Sequence, residues 1–191
     1  FFVGDIMYEV ALFYAKVAEK KSNIMEIFGL ERKTYFLCTI HRQSNTENIE
    51  KLNSIFEALS KLEKKVLLPI HPRTKNIIIK NDIKINSNVI IVDPVGYLDM
   101  VMLEKNAYKI ITDSGGIQKE AFFHKVDCIT MRNETEWVEL VDAGVNFLVG
   151  NSSEKIINAV KTDAPRKAYC SNFYGNGNTS LKIIEVLSSL Y

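Results

Sequence analysis

Ser114, Gly115 and Gly116, followed by Glu120, are the residues of this chain best placed for chemistry, because at this spacing they can hold a phosphate and a sugar together. They lie in the stretch Lys109 to Ala121, which reads as a strand passing through a tight polar turn into a helix. Small residues at a helix start leave backbone N–H groups unblocked, and the helix dipole favours an anion there. Glu120 stands four residues past Gly116, on the same helix face and about one turn deeper. From there its carboxylate can accept hydrogen bonds from two hydroxyls of a sugar whose phosphate rests on the glycines. The spacing points to a nucleotide rather than a bare anion. A strand, a glycine turn and a helix also occur in parallel sheets that bind nothing, but one local explanation for the carboxylate fails. Three residues after Ser114 comes Ile117, not Glu or Gln, so this is not a capping box.

Two further pairs have matching chemistry. His41-Arg42 and His71-Pro72-Arg73 each follow an apolar run, and an Arg fork with a donating or titrating His beside it suits an anionic group. His124 falls at a helix C-terminus, where a charge–dipole role suffices. No two histidines have metal-ligand spacing, so no catalytic metal is expected. Pro94-Val95-Gly96-Tyr97 reads either as a plain turn, with Pro and Gly setting the backbone angles, or as a turn that offers backbone groups to a planar base, and spacing does not separate the two. Thr135 and Glu136 can make polar contacts, and Trp137 reads as a packing residue.

The elements that must position these groups alternate along the chain. Strands are expected over Tyr35 to Ile40, Lys65 to Ile70, Asn88 to Val92, Lys109 to Thr112, Cys128 to Met131 and Phe147 to Val149. Helices are expected over Glu47 to Lys61, Thr74 to Lys80, Tyr97 to Lys105, Gly116 to His124, Glu134 to Ala143 and Ser153 to Lys161, framed by Ile6 to Lys20 and Ser180 to Leu190. Repeated βα units imply an α/β fold, a Rossmann-like doubly wound parallel sheet of about six strands forming one domain over residues 1–191. In such sheets ligands bind outside the carboxyl ends of the strands. That rule selects His41-Arg42, Pro69 to Arg73, Asp93 to Gly96, Asp113 to Gly116 and Arg132 to Glu136.

The formal net charge is +1 and the basic residues are dispersed, which argues against a nucleic-acid surface or a polybasic membrane patch. With no apolar run of membrane-spanning length and no signal peptide ahead of the first element, a cytoplasmic protein is expected. Cys38, Cys128 and Cys170 are odd in number and far apart, so neither a disulfide framework nor a zinc site is indicated. Cys38 and Cys128 read as buried thiols. The chain opens on Phe1 rather than Met, and it is expected to be a piece of something longer.

Five blocks, in order, resemble the C-terminal domain of the non-hydrolysing UDP-N-acetylglucosamine 2-epimerases: Val3 to Tyr8, Thr39 to Arg42, Pro69 to Pro72, Thr112 to Ala121 and Tyr174 to Ser180. The resemblance implies the C-terminal half of a glycosyltransferase-B-type enzyme. Such an enzyme interconverts UDP-N-acetylglucosamine and UDP-N-acetylmannosamine by anti elimination and re-addition of UDP, with no cofactor and no metal. It further implies that Ser114, Gly115 and Gly116 hold the pyrophosphate and Glu120 the ribose, with Val95 and Glu136 completing the UDP contacts. His41 would stabilise UDP as leaving group, and Arg42 and His71 match an activator site for a second UDP-sugar. The carboxylates that move the C2 proton belong to an N-terminal domain, so the fragment by itself is expected to bind UDP without turnover and the full-length enzyme to be a homodimer. Trp137 stands where bacterial members have Arg, and Gln43-Ser44-Asn45 replaces Arg-Glu-Asn. Both departures resemble a branch that epimerises modified UDP-sugars such as diacetamido uronic acids. A UDP-sugar glycosyltransferase and a non-catalytic nucleotide-binding module are the alternatives; Thr112, eight residues before Glu120, breaks the Glu-x7-Glu pair of many retaining transferases.

Overall fold

The computed structural model describes residues 1–190. Its centre is a parallel sheet of β1 (Tyr35–Thr39), β2 (Lys65–Pro69), β3 (Val89–Val92), β4 (Lys109–Thr112), β5 (Asp127–Thr130) and β6 (Asn146–Leu148), in the order β3-β2-β1-β4-β5-β6. Strand order reverses between β1 and β4, which pair with Leu37 opposite Ile110 and Thr39 opposite Thr112. This is the doubly wound arrangement expected, and the reversal opens a crevice at the carboxyl ends of those two strands.

Because side chains alternate across a strand, β1 feeds two cores. Phe36 and Cys38 point to one face, with Ile55, Phe56 and Leu59 of α4 (Ile49–Ser60) and Ile156 of α9 (Ser153–Lys161). Tyr35 and Leu37 point to the other, with Leu103 of α6 (Tyr97–Asn106) and Ile117 and Ala121 of α7 (Gly115–Phe123). A strand buried on both faces must read as a continuous apolar run, as Tyr35 to Cys38 does. Both Cys38 and Cys128 are buried, as expected, and Cys170 is exposed.

The other helices are α1 (Ile6–Lys21), α2 (Ile24–Ile27), α3 (Gln43–Thr46), α5 (Pro72–Lys80), α8 (Val138–Asp142) and α10 (Thr179–Ser188), with a 3-10 turn at Arg166–Cys170. Ala15 and Ala18 of α1 lie against Val101 of α6; their small side chains let the two helices approach closely. The first and last blocks of the chain meet. Asp5 N–H donates to the Tyr174 carbonyl at 2.9 Å, and a Cβ on Gly175, whose φ is +82°, would stand 2.9 Å from the Gly4 Cα.

Three expected helix boundaries are corrected. The helix expected over Glu47 to Lys61 is α4 and starts two residues later, because Asn48 caps it, accepting Lys51 N–H at 3.0 Å, while the short α3 ahead of it was not expected. The helix expected from Glu134 begins only at Val138, because Thr135 accepts the Trp137 N–H at 3.2 Å and holds the preceding residues in a loop. The helix expected from Thr74 starts at Pro72, with His71 as its cap. The short α2 and the 3-10 turn carry too few residues to show a periodic pattern. Among the described residues no helix is long and apolar enough to cross a membrane.

Candidate nucleotide site at the strand crevice

At the mouth of the crevice the Thr39 and Thr112 hydroxyls share a hydrogen bond of 2.6 Å, and Thr112 Oγ1 also accepts the Ser114 N–H at 3.0 Å. Asp113, fully buried, comes next. Its Oδ1 accepts the His41 backbone N–H at 2.9 Å, and its Oδ2 accepts those of Arg42 at 3.1 Å and the Asn45 side-chain amide at 3.0 Å. Arg42 Nε returns a bond to the Asp113 carbonyl at 3.1 Å. A buried carboxylate is tolerated only where donors fill it, and here the donors come from the turn after β1. One side chain fixes the His41-Arg42 turn against the Ser114 turn.

Ser114 is the N-cap of α7, its hydroxyl facing Ile117 N–H at 3.5 Å. Gly115 and Gly116 form the first turn of the helix, where backbone N–H groups have no intrahelical acceptor. Gln118 secures the turn from below. It donates to the Ser114 carbonyl at 3.1 Å and accepts from Thr135 at 2.6 Å and Asn146 at 2.9 Å. Glu120 is half-buried, and burial pushes its carboxyl above the ordinary value. Tyr97, at the head of α6, is raised by its own burial first and then by the Glu120 charge. Val95 itself is half-buried against the core beneath α6 and α7.

On the far side of the turn, Arg132 holds both oxygens of Glu136 at 2.7 and 2.8 Å. Those bonds are the chief reason the Glu136 carboxyl falls to about 2. A methyl on Gly115 would lie 3.6 Å from Glu136 Oε2 and 3.9 Å from Arg132 Nη1, so this ion pair stands directly against the glycine turn. Arg42 Nη2 is 3.8 Å from Glu136 Oε1. Trp137 packs beside α7 as expected and adds an indole N–H bond to the Gly115 carbonyl at 2.8 Å. Arg42, Asn45, Arg132, Asn133 and Glu134 line a polar cleft of about 380 Å³ beside, rather than over, the Ser114 turn.

The strand order thus brings the Ser114-Gly115-Gly116 turn, His41, Arg42 and Glu136 to one rim, with Glu120 further along α7. His71 lies one strand further out, exposed, its Nδ1 accepting the Arg73 N–H at 3.2 Å as a helix cap. His124 departs from expectation. Its side chain is 5 % exposed, 3.8 Å from the buried Glu104 carboxylate, and burial, with Lys105 and Lys33 adding to it, lowers it to about 4. A neutral imidazole has no charge for the helix dipole, so the charge–dipole role is withdrawn. The strand-end rule selected Asp113 and Arg132 without giving either a role, and Gln118 was not singled out from sequence. An acidic residue wedged between a strand end and Ser-Gly-Gly was the available signal for Asp113; nothing in the spacing marked Gln118.

A sequence profile of the UDP-N-acetylglucosamine 2-epimerase family matches residues 1–188. The chain belongs to that family. Among its curated relatives, a UDP-N-acetylglucosamine 2-epimerase homolog from Methanococcus maripaludis is 45 % identical across 100 % of this chain and 55 % of its own length. A UDP-2,3-diacetamido-2,3-dideoxy-D-glucuronate 2-epimerase from Pseudomonas aeruginosa is 41 % identical across 98 % of the chain and 52 % of the relative. The crystal structure of the Methanocaldococcus jannaschii UDP-GlcNAc 2-epimerase in complex with UDP-GlcNAc and UDP superposes with a TM-score of 0.84 at 41 % identity, over 99 % of this chain and 54 % of that one. This member of the 2-epimerase family therefore spans about half the length of the relatives it matches, and the part it matches is their C-terminal part. Both the resemblance and the α/β fold expected from sequence are borne out.

Proposed function

We propose that this chain is the nucleotide-gripping half of a UDP-sugar 2-epimerase, acting in the longer protein on UDP-N-acetylglucosamine. The observation that carries this reading is the Ser114-Gly115-Gly116 turn at the β1/β4 reversal with Glu120 one helical turn below it. A relative 41 % identical that binds UDP and UDP-GlcNAc supports it. In this reading the first N–H groups of α7 take the diphosphate, Glu120 takes the ribose hydroxyls and the Val95 turn borders the base. His41, held by Asp113, faces the phosphates and stabilises UDP as it leaves. Arg42 and His71, on neighbouring strand ends, are the groups for a second UDP-sugar. The acid–base residues that invert C2 come from the other half of the longer protein, which assembles as a homodimer.

Isothermal calorimetry of the 191 residues with UDP tests the grip, and a silent titration ends the proposal. Turnover of UDP-N-acetylglucosamine by these residues alone would overturn the division of labour. A second reading, the same reaction on a diacetamido uronate, is supported by the 41 % identity to the Pseudomonas aeruginosa enzyme. Turnover of the two UDP-sugars by the longer protein decides between them.

A further inference from the structure

We infer that Arg132 is a diphosphate-binding residue and that Glu136 is the counter-ion it holds until the diphosphate arrives. The inference rests on the nucleotide reading above and adds to it a residue and a competition. Arg132 has a side chain only 6 % exposed, yet its guanidinium reaches the glycine turn, 3.9 Å from where a Gly115 methyl would stand. A guanidinium buried to that degree needs an acceptor for its fork. Glu136 supplies both oxygens, at 2.7 and 2.8 Å, from a side chain that is itself 54 % exposed and so free to swing away. Glu136 also draws Arg42 to 3.8 Å, so one carboxylate neutralises both arginines on this side of the turn.

A diphosphate set on the Gly115 and Gly116 N–H groups would bring negative charge against Glu136 Oε2, which lies 3.6 Å from the Gly115 methyl position. Carboxylate and phosphate brought together there would repel, and both suit the same planar fork. Arg132 can therefore pass from Glu136 to a phosphate without ever being left unpaired. Glu136 then opposes diphosphate binding instead of assisting it. An ordinary UDP contact through Glu136 predicts the opposite sign.

The test is calorimetric titration of the chain and its variants with UDP and with uridine, which lacks the phosphates. Glu136→Gln removes the competing charge and is expected to tighten UDP by about five- to tenfold with uridine unchanged. Arg132→Gln is expected to weaken UDP by about tenfold or more, again sparing uridine. Should Arg132→Gln fail to fold, Glu136→Gln decides alone. UDP affinity unchanged or weakened in Glu136→Gln overturns the counter-ion role while leaving the nucleotide reading standing. Wild-type protein that binds neither UDP nor uridine removes that reading and this inference with it.

Discussion

The Asp113 carboxylate accepts the backbone N–H of His41 at 2.9 Å, across the boundary between β1 and β4. The bond links two turns 72 residues apart in the chain, and with the Arg42 and Asn45 bonds it satisfies a fully buried charge-bearing group. Removing the acceptor strands those donors away from water. Asp113→Ala is therefore expected to cost on the order of 3 kcal/mol, read by urea denaturation. Asp113→Asn, which keeps one acceptor oxygen, should lose less.

Glu120 has the opposite energetics. Burial raises its carboxyl and no ion pair accompanies it among the described residues, so Glu120→Ala should leave thermal stability unchanged or slightly higher. UDP affinity should fall by about 1.5 to 3 kcal/mol. If the ionised form accepts ribose hydroxyls, as proposed, wild-type affinity should decline as pH falls through the raised Glu120 value, above the ordinary 4.5. Calorimetry across pH 4 to 8 checks both, and the decline should be absent in Glu120→Gln.

Glu104 and His124 give stability two opposed pH dependences. Burial raises Glu104 well above 4.5, so its contribution is complete below that value and is lost as pH rises through the folded value. His124, lowered to about 4 from 6.5, contributes fully above 6.5 and loses that contribution as pH falls towards 4. Glu104→Gln removes the alkaline loss. It should melt higher than wild type at pH 8, with the difference vanishing near pH 4, in paired thermal melts.

Two glycines should separate function from folding. A methyl on Gly115 meets nothing closer than 3.6 Å, so Gly115→Ala should fold with equal or slightly greater stability and lose UDP affinity by covering the turn. Gly175→Ala forces a methyl to 2.9 Å from Gly4 Cα at a φ of +82°, and should cost more than 1 kcal/mol. Calorimetry reports the first and thermal melting the second.

What sequence could show followed from how local each signal is. Tyr35 to Cys38 and Lys109 to Thr112 read as strands because residues buried on both faces must be apolar, and Ser114 to Glu120 read as a site because its spacing lies within one helix. Asp113 was opaque because its role is to accept bonds from His41 and Asn45, partners that only the sheet order brings near. Glu136 was legible as a polar group at a strand end, but its engagement with Arg132 was not. An i, i+4 pair is expected on a helix, and this one is closed by a loop. Trp137 could be read as packing, whereas its bond to the Gly115 carbonyl depends on where β5 places the loop.

The Thr39–Thr112 hydroxyl pair has a kinetic consequence. With the mouths of β1 and β4 already joined, the backbone a ligand meets is preset and only the Glu136 side chain has to move, so little conformational entropy is surrendered on capture. Association of UDP should then be limited by encounter, and selectivity among uridine nucleotides should be expressed in how long each one stays.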